Sequence, residues 1–214
     1  STSKRVPLAL LTALARYVID PEIAGTDLRF TIDEIMERIH IEPSFTSKDR
    51  AQLREMLSSR RRLFSDVLGW AHGYKLHIET PRIDSGEVPP PNKPNRRRSD
   101  AEEEALRATF EKLLKQGVCA PIKSPYNAIP MPIRKPDGTY RVVLDWRSLN
   151  QLTVKDAYPL PTVEQNLTLL GYANIFSSAD LLMGFHNLEV SEDSIIKTAC
   201  SSPFGQLAFL RMPM

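Results

Sequence analysis

The chain has 214 residues, of which 42% are hydrophobic and 25% are charged, and its formal net charge at pH 7 is +2. This composition excludes a globally disordered chain and allows one large domain or a small domain with an arm. The net charge alone gives no support for nucleic-acid binding, and no apolar run reaches the length of a membrane span.

The cysteines and histidines do not indicate a metal centre. Cys119 and Cys200 lie in unrelated local patterns, which favours a reducing compartment over a disulfide framework or a zinc site. The four histidines lack metal-ligand spacing. The stretch KRVPLALLTALAR resembles a secretory signal, but Pro7 interrupts it. We interpret it as a buried helix and expect an intracellular protein, cytoplasmic or nuclear, with no membrane contact.

Residues 1–66 are expected to form a helical N-terminal region. Thr31 and Glu34 have the spacing of a capping box and precede apolar residues at helical intervals. The stretch TSKDRAQLREMLSSRRRLF repeats the pattern. Its apolar stripe consists of Leu53, Met56, Leu57 and Phe64.

Residues 67–98 are expected to form an extended arm. YKLHIET alternates apolar and polar residues (Tyr74, Leu76 and Ile78 are the apolar ones), as a half-buried strand does. The prolines of PRIDSGEVPPPNKPNRRR then hold the backbone extended. Arginine triplets at 60–62 and 96–98 are either solvated faces or phosphate-binding clusters.

Residues 99–214 indicate an α+β region. Ser99 and Glu102 make a capping box for a helix that Gly117 ends. Two strands joined by a turn at residues 136–138 follow, then a short helix that starts at Thr162. IFSSAD reads as a strand that ends at Asp180, and a hairpin turns at residues 203–205.

Two parts of this region, the first hairpin and the segment around Asp180, carry charges that suit phosphate and metal chemistry. Lys135 and Arg141 flank the tip of the first hairpin, so both cations can reach one polyphosphate, although an ordinary basic hairpin has the same spacing. Asp180 ends a strand, where its carboxylate and nearby carbonyls suit Mg²⁺, and Phe185 could wall the same pocket. A capping or salt-bridged aspartate is the alternative.

Two long stretches together resemble the reverse transcriptases of Gypsy-class long-terminal-repeat retrotransposons. They are GVCAPIKSPYNAIPMPIRKPDGTYRVVLDWRSLNQLTVKDAYPLP and IFSSADLLMGFHNLEVSEDSIIKTACSSPFGQLAFLRMP. Their motifs follow the family's order and spacing. The resemblance is dense over residues 99–214, weaker over 46–98 and absent over 1–45. It implies the fingers and part of the palm of an RNA-directed DNA polymerase, preceded by the helical region and the arm.

The resemblance implies a metal site at the second stretch. Asp180 would be the first catalytic aspartate and a ligand of two Mg²⁺ ions, with the backbone carbonyl of Leu181 as a further ligand. It also implies partners: an RNA or DNA template–primer and an incoming deoxynucleoside triphosphate. Arg147 and Asn150 would support the fingers and the template side.

The resemblance implies a nucleotide site as well. Lys135 and Arg141 would bind the triphosphate, and the main-chain amides around Met183 and Gly184 would lie along it. Phe185 would pack under the sugar and exclude a ribose 2′-hydroxyl. These roles fit phosphoryl transfer, which needs positioning and charge neutralisation.

The chain departs from the family pattern at its end, because it stops at RMPM and contains no [YF]xDD motif. We therefore expect weak or absent Mg²⁺ binding and no polymerase activity from this polypeptide alone. The incomplete palm edge would invite self-association or a partner protein. The alternative is a co-opted, non-catalytic protein that binds nucleic acid or a host protein, including a secreted effector.

Overall fold

The computed structural model describes residues 30–59, 61, 64, 67–69, 71, 73–81, 97–171 and 176–214. Several expectations lie outside these residues. They concern the helix in the opening stretch, most of the proline-rich arm, and Arg60, Arg62 and Arg96.

Helices and strands alternate irregularly along the described chain. The helices are α1 (Ile32–Arg38), α2 (Ser47–Ser59), α3 (Asp100–Lys115), α4 (Arg147–Leu152), α5 (Val163–Leu170) and α6 (Glu192–Ile195). The strands are β1 (Lys75–Leu76), β2 (Cys119–Pro121), β3 (Ile129–Arg134), β4 (Tyr140–Asp145), β5 (Glu189–Val190), β6 (Cys200–Ser202) and β7 (Gly205–Phe209). Two 3₁₀ turns span Gly184–Asn187 and Ile196–Thr198. This is the predicted α+β class.

Three helices begin at capping boxes that the sequence predicts. In each, the side chain of the capping residue accepts a hydrogen bond from the backbone amide of residue N3. The side chain of residue N3 in turn accepts a hydrogen bond from the backbone amide of the capping residue. The pairs are Thr31 with Glu34, Ser99 with Glu102, and Thr162 with Gln165. After α3, Gly117 adopts φ 64°, a left-handed conformation that favours glycine, as expected at a helix end.

The main core lies between α3 and a three-stranded antiparallel sheet of order β2-β7-β6. Leu106 and Phe110 of α3 are fully buried against Phe209 of β7. The predicted hairpin turning at residues 203–205 is the β6–β7 pair, in which Ser202 faces Gly205. The buried stripe of α3 and the side chains of Leu207 and Phe209 in β7 thus meet in one apolar layer.

The β3–β4 hairpin extends from this core. Its register runs from Ile129 opposite Asp145 to Arg134 opposite Tyr140. The predicted turn at residues 136–138 is confirmed, and the Asp137 carboxylate accepts from the Thr139 amide at 2.9 Å. A bridge between residues 128 and 200 ties the base of the hairpin to β6.

Part of the expected arm is a strand of the fold. β1 pairs in parallel with β5, with Lys75 opposite Glu189 and Leu76 opposite Val190. Strand β1 is shorter than the alternation in YKLHIET predicts. Tyr74 lies outside the strand, and its side chain is 73% exposed. Ile78, beyond the strand, is buried.

Two predictions from the sequence are wrong. The described part of the predicted IFSSAD strand, residues 176–180, is exposed and forms no strand. A strand needs a neighbour to complete its hydrogen bonds, and none of the described residues supplies one here. The prediction that one helical apolar stripe runs from Leu53 to Phe64 is also wrong. Helix α2 ends at Ser59, before Phe64, and the side chain of Met56 is 50% exposed.

Helix α5 presents its apolar residues to solvent. Val163, Leu167 and Leu170 share one side, as predicted, yet they are 69%, 61% and 49% exposed. No residue of α5 is buried. Within the described residues, no helix is long and apolar enough to cross a membrane.

Candidate functional site

The β3–β4 hairpin presents the two predicted phosphate-binding cations. Lys135 and Arg141 are both exposed, and the Lys135 amide donates to the Thr139 carbonyl at 2.7 Å. The pKa of Asp137 lies below its usual range, chiefly because the Thr139 hydroxyl donates to it, with the charge of Lys135 adding to the effect. No ion pair to either cation occurs among the described residues.

A cavity of about 390 Å³ lies along one face of β4 and α4. Its lining includes Arg141, Asp145, Trp146, Arg147, Asn150 and Met214. Arg147 donates to both carboxylate oxygens of Asp145, from Nε and Nη2 at 2.8 Å each. Those bonds and the carboxylate charge raise the pKa of Arg147. Since Asp145 is neutralised by Arg147, Arg141 remains to attract an anion.

Asp180 lies in segment 176–180, which forms no helix or strand, and its side chain is exposed. Within the described residues its carboxylate has no ion pair and no hydrogen bond, so both oxygens are open to a cation. In the described part of the chain, no group of three or more histidine, cysteine, aspartate or glutamate side chains is placed so that it could hold a metal ion. The residues present therefore fit one ligand of a Mg²⁺ site and do not fit a complete one.

A tight turn follows Asp180. Met183 adopts φ 46° and ψ 46°, a left-handed conformation that is uncommon outside glycine. Gly184 leaves room for Leu181, because a Cβ on Gly184 would lie 3.3 Å from the Leu181 Cβ. Phe185 then stands 52% exposed at the surface. The backbone thus reverses at the residues expected to follow the triphosphate.

His186, in the same turn, is a residue that sequence reasoning missed. It is 5% exposed, its Nδ1 lies 2.9 Å from the Met212 carbonyl, and its ring stacks on Phe209 with centroids 6.3 Å apart. Burial lowers the pKa of His186, and the charge of Arg211 adds to that effect. A lone histidine in GFHN gives no signal from which these contacts could be predicted.

The structure brings together some of the predicted site residues. Arg141 lines the cavity with Arg147 and Asn150, the residues expected to support the fingers. Lys135, Asp180 and the 183–185 turn are described but are not part of that lining. Sequence reasoning missed Trp146 and Met214 as members of the cavity; the Trp146 indole donates to the Met214 carbonyl at 3.3 Å.

Relatives in sequence are retrotransposon polyproteins. The chain is 42% identical over 108 residues to the Pol polyprotein of transposon 297 and 36% identical over 110 residues to that of transposon gypsy, both from Drosophila melanogaster. Each match covers 48% of this chain and 10% of the relative. The Tf2-3 polyprotein of Schizosaccharomyces pombe is 33% identical over 111 residues, 51% of this chain and 8% of the relative. The chain thus spans about a tenth of these relatives. No protein-family model matches it.

Solved structures with a similar fold are foamy virus protease-reverse transcriptases. A selenomethionine-labelled mutant of the prototype foamy virus protein aligns with a TM-score of 0.63 and 23% identity, covering 89% of this chain and 25% of that one. The complex of the foamy viral protein with an RNA/DNA hybrid aligns at 0.59 with 20% identity and the same coverage. Over about half of its length this chain is thus similar in sequence to retrotransposon Pol polyproteins such as those of transposons 297, opus and gypsy, and it has a reverse-transcriptase-like fold.

Proposed function

We propose that the chain supplies the fingers and part of the palm of an RNA-directed DNA polymerase that works by Mg²⁺-dependent nucleotidyl transfer. The observation that carries the proposal is the open carboxylate of Asp180, exposed three residues before the left-handed turn at Met183. Because Asp180 is exposed and has no hydrogen bond or ion pair among the described residues, both of its carboxylate oxygens are available to a metal ion.

Asp180 and the carbonyl of Leu181 would hold Mg²⁺, which supplies charge neutralisation at the phosphates when it is bound. The chain's own contribution is alignment. Asp180 would hold the metal that neutralises the triphosphate, and the backbone of Met183 and Gly184 would lie alongside the phosphates. Phe185, already exposed, packs beneath the sugar.

The hairpin cations complete the nucleotide site in this proposal. Lys135 and Arg141 approach the triphosphate from the fingers, and no ion pair among the described residues competes for them. Arg147 is already bound to Asp145, so it and Asn150 act as supports of the cavity wall on the template side. The foamy viral relatives that bind dsDNA and an RNA/DNA hybrid support a template–primer as the partner.

The 214 residues by themselves are expected to be inactive. Two divalent cations close together repel strongly unless several carboxylates surround them, and Asp180 is a single one. Primer extension therefore requires the [YF]xDD portion of the polymerase.

The test joins this chain to the [YF]xDD-containing polymerase portion of a similar retrotransposon Pol polyprotein and measures Mg²⁺-dependent primer extension. Asp180→Asn should reduce extension at least ~1000-fold, since a metal ligand of the reaction is lost. Asp156→Asn is the matched control, because Asp156 is also exposed and its acceptor bond to the Tyr158 amide survives in asparagine. Equal extension by Asp180→Asn and Asp156→Asn would disprove the assignment.

A further inference from the structure

The buried side chain of His186 connects the turn that carries Phe185 to the segment that follows β7. The Nδ1 of His186 lies 2.9 Å from the Met212 carbonyl, and its main-chain amide donates to the Met183 carbonyl at 2.8 Å. The same residue therefore contacts both the left-handed position of the turn and the segment that follows β7. The carbonyl accepts, so Nδ1 is the protonated nitrogen.

The ring of His186 also belongs to a row of stacked rings. It lies against Phe209, and Phe209 meets Trp146 edge to face with centroids 6.2 Å apart. Trp146 lines the cavity beside Arg141. The row His186–Phe209–Trp146 thus joins the Phe185 turn to the cavity of the fingers, the two halves of the proposed nucleotide site.

Other contacts also hold this turn: the Leu188 amide donates to the Phe185 carbonyl at 3.2 Å, the Ala71 amide donates to the Asn187 carbonyl at 2.8 Å, and Met183 packs against the main core. Asn187 donates to the Leu182 carbonyl at 3.1 Å, and Arg211 lies 3.5 Å from the His186 carbonyl. The side chains of Leu181, Leu182 and Phe185 are exposed and add little packing. A turn with exposed apolar side chains and a left-handed residue keeps its shape only if the surrounding contacts impose it.

We propose that His186 is a positioning residue of the nucleotide site. Its imidazole holds the Met183–Gly184 backbone and Phe185 in place relative to Arg141, without touching the nucleotide. The role of His186 at a nucleotide rests on the proposed function. The position of His186 in the turn rests only on the contacts described above.

The experiment compares two substitutions that separate the ring from the hydrogen bond. His186→Phe keeps a ring against Phe209 and removes the donor to Met212. His186→Asn removes the ring and keeps a donor where Nδ1 stands. His40→Phe is the control, since His40 is exposed and outside the site.

The first readout is the mobility of a spin label at Leu182→Cys in the 214-residue chain. Labelling is selective because Cys119 and Cys200 are buried. We expect the label to become mobile in His186→Phe and to stay ordered in His186→Asn and in His40→Phe. A label equally ordered in all variants, or no rescue by asparagine, would overturn the proposal.

The second readout compares the binding of Mg²⁺-dATP and Mg²⁺-ATP, by equilibrium titration, to the same His186 and His40 variants of the polymerase completed with the [YF]xDD portion. His186→Phe should weaken dATP binding roughly tenfold, with a smaller preference over ATP, as loss of one buried hydrogen bond allows. A residue with a purely structural role would lower stability and leave that preference unchanged, which would overturn the proposal. If the completed polymerase without substitutions binds neither nucleotide, the proposed function fails, while the label on the 214-residue chain still decides whether His186 fixes the turn.

Discussion

The ammonium of Lys197, 6% exposed, donates a hydrogen bond of 2.9 Å to the carbonyl of Ile78. The Ile78 amide donates to Ser194 Oγ at 2.9 Å, so both backbone groups of one residue in the arm are bound by residues close together in α6 and the 3₁₀ turn after it. A further bond runs from the Val154 amide to the Glu79 carbonyl at 2.9 Å. Residues 75–80 are therefore an integral part of the fold.

Lys197→Met should destabilise the protein by about 1–3 kcal/mol, because the Ile78 carbonyl is left buried without its donor. Hydrogen exchange should accelerate at residues 76–80 first. The measurement is urea unfolding together with exchange mass spectrometry. Lys155→Met is the control, since Lys155 is exposed and should change stability by less than ~0.5 kcal/mol. Unchanged exchange at residues 76–80 in Lys197→Met would contradict this account.

Stability should fall as the pH drops below about 6.5, the usual pKa of histidine in an unfolded chain. Burial lowers the pKa of His186 in the folded state, so between the two values the unfolded chain binds more protons and acid favours unfolding. Urea titrations at pH 7.5 and 5.5 measure the loss. His186→Asn should make it smaller, and His40→Asn should leave it unchanged. An identical loss of stability in the unsubstituted protein, His186→Asn and His40→Asn would mean that groups other than His186 cause the pH dependence.

The two thiols should be inert in the folded protein. Burial raises the pKa of Cys119 to about 12 and raises that of Cys200 well above its usual value. Thiolate is the reactive species, so a disulfide reagent at pH 8 should modify neither residue until urea unfolds the chain. Rapid modification without urea would show that the sheet opens locally at β2 or β6.

The exposed side of α5 should bind an apolar dye. Val163, Leu167 and Leu170 form a solvent-facing apolar patch, and such patches bind dyes and promote association. The variant Leu167→Gln with Leu170→Gln should lower fluorescence of anilinonaphthalene sulfonate and reduce concentration-dependent association. Its unfolding free energy should change by less than ~1 kcal/mol, because these side chains are not buried. Ile133→Gln, a similarly exposed residue on β3, controls for loss of any surface apolar group.

Local chemistry explains which features could be predicted. Ser99 and Glu102 satisfy each other within one helical turn, and the 136–138 turn needs no distant partner, so both can be predicted from a short window. The 176–180 segment has strand-like residues but no neighbouring strand among the residues that the structure describes, and a short sequence pattern cannot reveal that. The same limit applies to the site. Arg141 was a candidate from hairpin spacing, whereas His186 depends on Met212 and Phe209, which are distant in sequence.

The parallel pair between β1 and β5 has a consequence for the order of folding. Lys75 meets Glu189, and His77 meets Ser191, 114 residues further along the chain. Closing so long a loop is entropically costly and cannot occur during synthesis until Ser191 has been made, so this edge should assemble late. During that interval Ile78 and its neighbours lack their partners, and a chaperone that binds extended apolar segments would find its target there.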